Sequence, residues 1–368
     1  MRTNHTKNTS EVRTEQAANP QYEAIYLGCD LHKQTISVTR ILDHGTPQPA
    51  QRFSWERFFP WVQKQLSLAK KVYAVYEAGA FGFWPVRKLK ELGVEAYVVH
   101  PEKLDPRCKR VQTDKLDSRH LADKLQRYVL GNKQAMVSVY VPTPAEEQQR
   151  LAARHRRKLS EQMLALQARG RGLLLSQGIF ENQRWWKEER WAELAGGQLT
   201  PELKAALEDD RALLLQYQER LQAAEKKLEA AAPKELPKGF GRLSFVLLQS
   251  ELCNYKRFKS RRQVAGFTGL CGGVSSSGEA HQDLSINKAG SPYVRTLLVE
   301  SAWRVVYWQP KYRGLRVWKR LCGGGGPVSK RRRKIAIVAV ARQLAVDLWR
   351  WQTGKVNAQE LGWEMSPT

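Results

Sequence analysis

The sequence predicts an α/β N-terminal domain, a long helical middle segment and a mainly α C-terminal domain. Three observations carry this. Strand-like and helix-like segments alternate between residues 23 and 130. Two long stretches, 145–175 and 201–230, repeat apolar residues at helical spacing with little interruption. From residue 236 to about 352 shorter helical segments are separated by Gly-rich loops.

Taken in order, residues 1–20 are polar with no apolar h-region, and read as a disordered tail rather than a secretory signal. The first domain spans 21–143. Residues 23–42 (EAIYLGCDLHKQTISVTRIL) give two strands and a short turn, the first nearly all apolar, as in a strand buried on both faces. KVYAVY at 71–76 and VEAYVV at 94–99 give two more. FWPVRKLKELG between them is a helix stopped by Gly93, and 113–130 is a second helix with Thr113 as its N-cap. The sheet is therefore expected to be partly parallel.

The middle segment, 144–232, follows Pro142 and Pro144. Leu159, Met163, Leu166 and Leu173 mark one helix face, and Leu214, Tyr217, Leu221, Ala224 and Leu228 another, on either side of a Trp-rich break at 180–195. This fits either an antiparallel coiled-coil hairpin or one face of an ordinary bundle. Pro233 and Pro237 punctuate the next boundary, and the C-terminal domain covers 233–352. It contains two notable loops, CGGVSSSGE at 271–279 and CGGGGP at 322–327, with a last helix at 328–352; residues 353–368 read as a loose tail. Trp303, Trp308 and Trp349 are interspersed with apolar residues and read as core, whereas Trp185 and Trp186 at the helical break suit either base stacking or interface packing.

The chain has 368 residues, with 61 Lys and Arg against 36 Asp and Glu, for a net charge of +25. Such a balance points to a polyanionic partner, because neutralising phosphates with Lys and Arg releases counterions. No segment approaches the roughly 20 apolar residues that span a bilayer. The five cysteines are scattered without a CxxC pair, which gives no support to a zinc site or a disulfide framework and fits a reducing cytoplasm. Basic residues cluster at Arg150, Arg154, Arg156, Arg157, Lys158, Arg169 and Arg171, and again at Lys330–Lys334, including Arg331 and Arg332. A run of this kind is either a solvated face or a nucleic-acid contact, and the overall charge favours contact.

Two constellations carry candidate chemistry. Asp30 and Glu77 end apolar strands, and Asp114 and Asp117 stand three apart on a helix. Carboxylates at strand ends can line the crevice at the edge of an α/β sheet. If four converge, a hard cation such as Mg²⁺ would relieve their repulsion and hold phosphate oxygens. Singly, each acid could equally cap a turn or favour a helix dipole. The second constellation is Ser275-Ser276-Ser277-Gly278, followed by Lys288 and Arg295. A serine hydroxyl needs activation to attack phosphorus, Gly278 would admit a phosphodiester to the backbone, and Lys288 and Arg295 could balance its charge. A plain Ser/Gly linker has the same composition.

Taken together, and in this order, these segments resemble the insertion-sequence one-ten family of transposases. The resemblance runs through YLGCDLHKQTISVTR, VYEAGAFGFWPVRKLKELGVEAYVV and VQTDKLDSRHLADKL in the N-terminal part. It continues through RFKSRRQVAGFTGLCGGVSSSGE, INKAGSPYVRTLLVESAW and KIAIVAVARQLAVDLW, covering most of residues 24–352. It implies a RuvC-like domain of RNase H type whose metal-bearing acids match Asp30, Glu77, Asp114 and Asp117. It implies a C-terminal transposase domain whose nucleophile matches Ser277 and forms a phosphoserine link to DNA. Mg²⁺, donor and target DNA, a bridge RNA, and a dimer or tetramer in a bacterial, nucleoid-associated setting are the implied cofactor, partners and context. An aromatic residue often precedes the family's serine, whereas Val274 and small serines stand here, which leaves Ser276 beside Ser277 as a candidate. LPKGFGRLSFVLLQSEL resembles the family's helix-hairpin-helix-like element; Lys238 and the turn amides could hold a phosphate, or the segment could be a simple interhelix turn. The competing functions are a structure-selective nuclease using metal-activated water, and a non-catalytic nucleic-acid-binding regulator.

Overall fold

The computed structural model describes residues 20–101, 114–197, 199–277, 280–324 and 326–367. The chain divides into two compact units, residues 1–141 and 142–368.

The N-terminal unit is built on one five-stranded sheet. β1 (Tyr22–Leu31) and β2 (Thr35–Leu42) form the expected hairpin, and β3 (Gln51–Ser54) extends it antiparallel. After α1 (Trp55–Leu68) the chain returns as β4 (Ala69–Glu77), which lies parallel to β1. α2 (Trp84–Glu91) then leads to β5 (Glu95–Val99), parallel to β4, giving the order β3-β2-β1-β4-β5. α3 (Asp114–Val129) follows; Thr113, its expected cap, lies outside the described residues. The β3–α1 segment was not foreseen from the sequence.

Pleating sorts the side chains into two layers. Ile25, Leu27 and Cys29 of β1 and Val72, Ala74 and Tyr76 of β4 pack with Phe58 and Val62 of α1 and Val86 and Leu89 of α2. Tyr26 of β1 and Tyr73 and Val75 of β4 face the other way, against Leu121, Ala122 and Leu125 of α3. Tyr26 and Tyr73 stack there with ring centroids 5.5 Å apart.

The C-terminal unit opens with a helical hairpin. α4 (Pro144–Ser176) starts on a capping box from Thr143 and Glu146; α5 (Glu188–Ala195) fills the break; α6 (Pro201–Glu229) runs back. Arg156 pairs with Glu225 and Arg169 with Asp210, which fixes the two long helices antiparallel. The break carries a core of its own: Leu174, Trp185, Trp186, Trp191, Leu194, Leu207 and Leu214. Gly170 leaves the room that the Trp185 ring occupies, and the indole N–H donates to the Gln167 carbonyl at 3.2 Å. Both Trp185 and Trp186 are thus buried in packing, which removes them as surfaces for stacking bases.

The remainder follows as β6 (Glu235–Pro237), α7 (Arg242–Leu252), a 3₁₀ turn at Tyr255–Arg257, α8 (Arg261–Thr268), β7 (Gly272–Ser277), β8 (Ala280–Ile286) and α9 (Pro292–Trp308). A second 3₁₀ turn at Arg313–Leu315 leads into α10 (Arg316–Cys322), then α11 (Lys330–Gln352), α12 (Ala358–Leu361) and β9 (Met365–Pro367). One core joins α7, α9 and α11 through residues such as Phe245, Leu298, Val305, Val340 and Leu344.

Several expectations are corrected here. The loop expected at 271–279 is largely strand, since β7 pairs antiparallel with β8. The loose tail expected at 353–368 is packed: Trp363 is buried and β9 pairs with β6, Leu236 opposite Ser366. Apolar burial and a backbone ladder outweigh its polar composition. The expected helix-hairpin-helix element has a strand, β6, as its first arm. Trp349 is core, but Trp303 and Trp308 are 43% and 52% exposed, because they fall on the outward stripe of α9. Among the described residues no helix is long and apolar enough to cross a membrane.

Candidate active site and nucleic-acid contacts

The candidate carboxylates stand where pleat and packing direct them. Asp30 is in phase with Tyr26 and Gly28, and Glu77 with Tyr73 and Val75, so both belong to the α3 face of the sheet. Cys29 pairs with Tyr76 across the parallel ladder, which puts Asp30 and Glu77 level at the C-terminal ends of neighbouring strands. α3 lies on β1 with almost no separation. A Cβ at Gly28 would meet the Ser118 carbonyl oxygen at 2.1 Å and the Ala122 nitrogen at 2.3 Å. Ser118 is fully buried, its hydroxyl 3.0 Å from that of Thr39.

The direction of α3 follows from its other end. Gln126 donates to the Asp43 carbonyl at 3.0 Å, and the Asp43 carboxylate accepts from the amides of Glu23 and Ala24, at the start of β1. The helix therefore runs against β1, and its first turn, with Asp114 and Asp117, extends toward the strand end that carries Asp30. Asp117 is half-buried.

Asp30 keeps 23% of its side chain exposed and accepts a hydrogen bond from His32 Nε2 at 3.0 Å when that nitrogen carries the proton. Glu77 is exposed. Cys29 belongs to the opposite face, where burial pushes its thiol up to about 12. Sheet alternation thus puts this sulfur on the face opposite to that of Asp30. Among the described residues no three His, Cys, Asp or Glu side chains are gathered into a metal-holding group. The Asp114 side chain lies outside the described residues.

Ser277 is the last paired residue of β7, opposite Ala280, with Ser276 opposite His281; residues 278–279 lie outside the described residues. The base of this hairpin is held by backbone and by Arg295. The Asn287 amide donates to the Cys271 carbonyl at 2.9 Å and the Lys288 amide to Gly269 at 3.1 Å. Arg295 Nη1 donates to the carbonyls of Lys288 and Gly290 at 3.1 and 2.8 Å. Gly269 and Gly290 permit this crossing, since a Cβ at Gly290 would lie 2.0 Å from the Phe267 carbonyl oxygen. Arg295, read from the sequence as a phosphate partner, here anchors the hairpin. The GxCGG…KAG pattern of closely spaced glycines was the available signal.

The basic run in α4 is largely matched with acids. Arg154 binds Glu251, whose side chain is 8% exposed, at 3.0 Å. Arg156 pairs with Glu225, and Arg157 and Lys158 share Glu161 at 2.7 and 2.8 Å. Arg150 donates to the Cys253 sulfur at 2.8 Å. Lys238 pairs with Glu364 at 3.2 Å. Arg331 and Arg332 are exposed in the first turn of α11, behind the Ser329 cap.

The known proteins that this chain is similar to are transposases. A family model described as Transposase IS116/IS110/IS902 family matches residues 236–315, from β6 through the serine hairpin to the second 3₁₀ turn. A Sinorhizobium fredii protein named as a transposase, y4rJ, is 34% identical over 75% of this chain and 76% of its own length. The transposase for insertion sequence element IS1111A of Coxiella burnetii is 25% identical over 75% of this chain and 76% of itself. That for IS1533 of Leptospira borgpetersenii is 23% identical over 76% and 85%. With the Sinorhizobium fredii relative 34% identical along three-quarters of both chains, this chain belongs to the IS116/IS110/IS902 family of transposases.

Proposed function

We propose that this transposase cuts and rejoins DNA through a phosphoserine at Ser277, with Asp30, Glu77, Asp114 and Asp117 as the Mg²⁺ ligands and a bridge RNA selecting donor and target. The observation that carries the proposal is the seating of α3 on Gly28. It directs a helix start bearing two acids toward the strand ends that bear two more. A mixed five-stranded sheet with helices on both faces also suits a RuvC-like, RNase H-type domain.

In the proposed reaction the Ser277 Oγ forms a bond to phosphorus as the bond from phosphorus to one deoxyribose oxygen breaks. The hydroxyl proton passes to solvent or a nearby base, and the released oxygen takes one up. Attack by a new deoxyribose hydroxyl reverses the step, so phosphodiester bonds are conserved and no external energy source is required. Mg²⁺, when bound, neutralises charge that builds on the phosphate oxygens. Arg295 fixes the hairpin base so that the serine is presented in one place. The proposal takes the working assembly to be a homodimer or tetramer.

The test incubates full-length protein with Mg²⁺, DNA bearing the ends of its own element, and RNA transcribed from the adjoining non-coding segment. A covalent protein–DNA species is expected from the unsubstituted protein and from Ser276→Ala. It is absent from Ser277→Ala and Asp30→Asn. Cleavage that survives Ser277→Ala overturns the phosphoserine and favours metal-activated water, as in a structure-selective nuclease.

A further inference from the structure

We infer that a cleft in the C-terminal unit, between α8, α10 and α11, is a binding site for a nucleic-acid phosphodiester backbone. It encloses about 1570 Å³ and is floored by the second 3₁₀ turn and the face of α11. Arg261 and Arg262 of α8, Arg313 and Arg316 at the turn and the start of α10, Lys319 of α10 and Arg342 of α11 all line it. All six are exposed. Among the described residues none of the six forms an ion pair.

Cations that brace the helical hairpin of the same unit are arranged differently. Where Arg154, Arg156, Arg169 and Arg190 serve the fold, each meets a carboxylate, and three of those carboxylates are nearly buried. The cleft also contains acids, but they are committed elsewhere. Asp347 is 2% exposed and takes hydrogen bonds from Tyr312 at 2.7 Å and Gln343 at 2.9 Å, besides pairing with Arg350 at 3.3 Å. Glu360 caps α12 by accepting from the Asn357 amide at 2.9 Å. Six like charges around one concavity repel one another, and their mutual field attracts anions into it. Arg presents a planar fork of donors that matches phosphate oxygens. The volume and the repetition of cations fit successive phosphates of a strand rather than one small anion.

The proposal rests on the transposase reading only for taking nucleic acid as the polyanion. Its test separates binding from chemistry. Binding of full-length protein to a labelled DNA duplex and to a labelled single-stranded RNA is followed by anisotropy across a salt series. Each phosphate contact contributes a slope of about 0.9 in log K against log salt for duplex and about 0.7 for single strands. Replacing Arg262, Arg316 and Arg342 together with Ala should lower the slope by about 2.7 on duplex or about 2.1 on RNA. Arg→Lys at the three positions should keep it, which separates lost charge from lost fold. Replacing Lys88, which pairs with Glu91 at 3.3 Å in the N-terminal unit, should leave it unchanged. A change on duplex alone assigns the cleft to DNA, a change on RNA alone to the guide, and a change on both to either strand. Unchanged slopes on both probes overturn the site. Ser277→Ala should bind with the full slope, so failure of the phosphoserine proposal would be seen separately.

Discussion

Substituting Gly28 with Ala should unseat α3. The new methyl would stand 2.1 Å from the Ser118 carbonyl oxygen and 2.3 Å from the Ala122 nitrogen, where ordinary contact begins near 3.4 Å. The helix would have to retreat by about 1.3 Å, against a layer that includes Leu121, Leu125 and the stacked Tyr26 and Tyr73 rings. Overpacking of this kind costs about 1–3 kcal/mol, and a clash with backbone on both counts belongs at the upper end. At about 4 °C per kcal/mol for a domain of this size, 3 kcal/mol lowers the melting temperature of the N-terminal unit by about 12 °C. Scanning calorimetry of the full chain, with a tryptophan-fluorescence melt, would measure it. Ala122→Gly should not rescue the variant, because the obstruction is main chain. DNA cleavage should fall even well below the melting temperature, since the first turn of α3 moves with the helix. A Gly28→Ala protein that melts within 2 °C of the parent, at about 0.5 kcal/mol or less, would refute the close seating of α3.

Two further outcomes are expected. Arg154→Ala leaves Glu251 nearly buried without its guanidinium; because Arg154 itself is 59% exposed, the loss should be about 1–3 kcal/mol in chemical denaturation. The Cys29 thiol, raised from 9.0 to about 12 by burial, should resist alkylation in the folded protein. Its contribution to stability is complete below pH 9.0 and declines as pH rises toward about 12, because the unfolded chain ionises first; Cys29→Ala should flatten that part of the stability profile.

Much of the N-terminal unit was legible because a two-residue period survives burial. The β1–β2 hairpin, β4, α2 and β5 all follow from apolar runs and Gly93. The β3–α1 segment was not legible: Pro60 sits inside α1 and two of the residues on its buried stripe are separated by charged or polar neighbours, so Phe58, Val62 and Gln65 make a weak signal. Gly28 was read only as part of a strand, although its lack of a side chain is what admits α3. In the C-terminal unit, glycines and serines at 272–277 suggested a loop because neither residue has strand propensity; pairing with Ala280–Ile286 overrides that preference. The α4 cations could not be divided between internal and external partners from sequence, since Glu225 and Glu251 lie far along the chain. The cleft was equally hidden, because its arginines come from three separate helices and a 3₁₀ turn.

The β6–β9 ladder also sets a condition on biosynthesis. Strand 235–237 has no hydrogen-bonding neighbour of its own until residues 365–367 have left the ribosome, and Tyr312 lacks the Trp363 ring that lies 5.6 Å from it. The N-terminal sheet can fold while translation continues, but the serine-bearing unit is finished only after residue 367 emerges. Premature termination before Trp363 should therefore yield a chain whose N-terminal unit is folded and whose C-terminal unit is left to proteolysis.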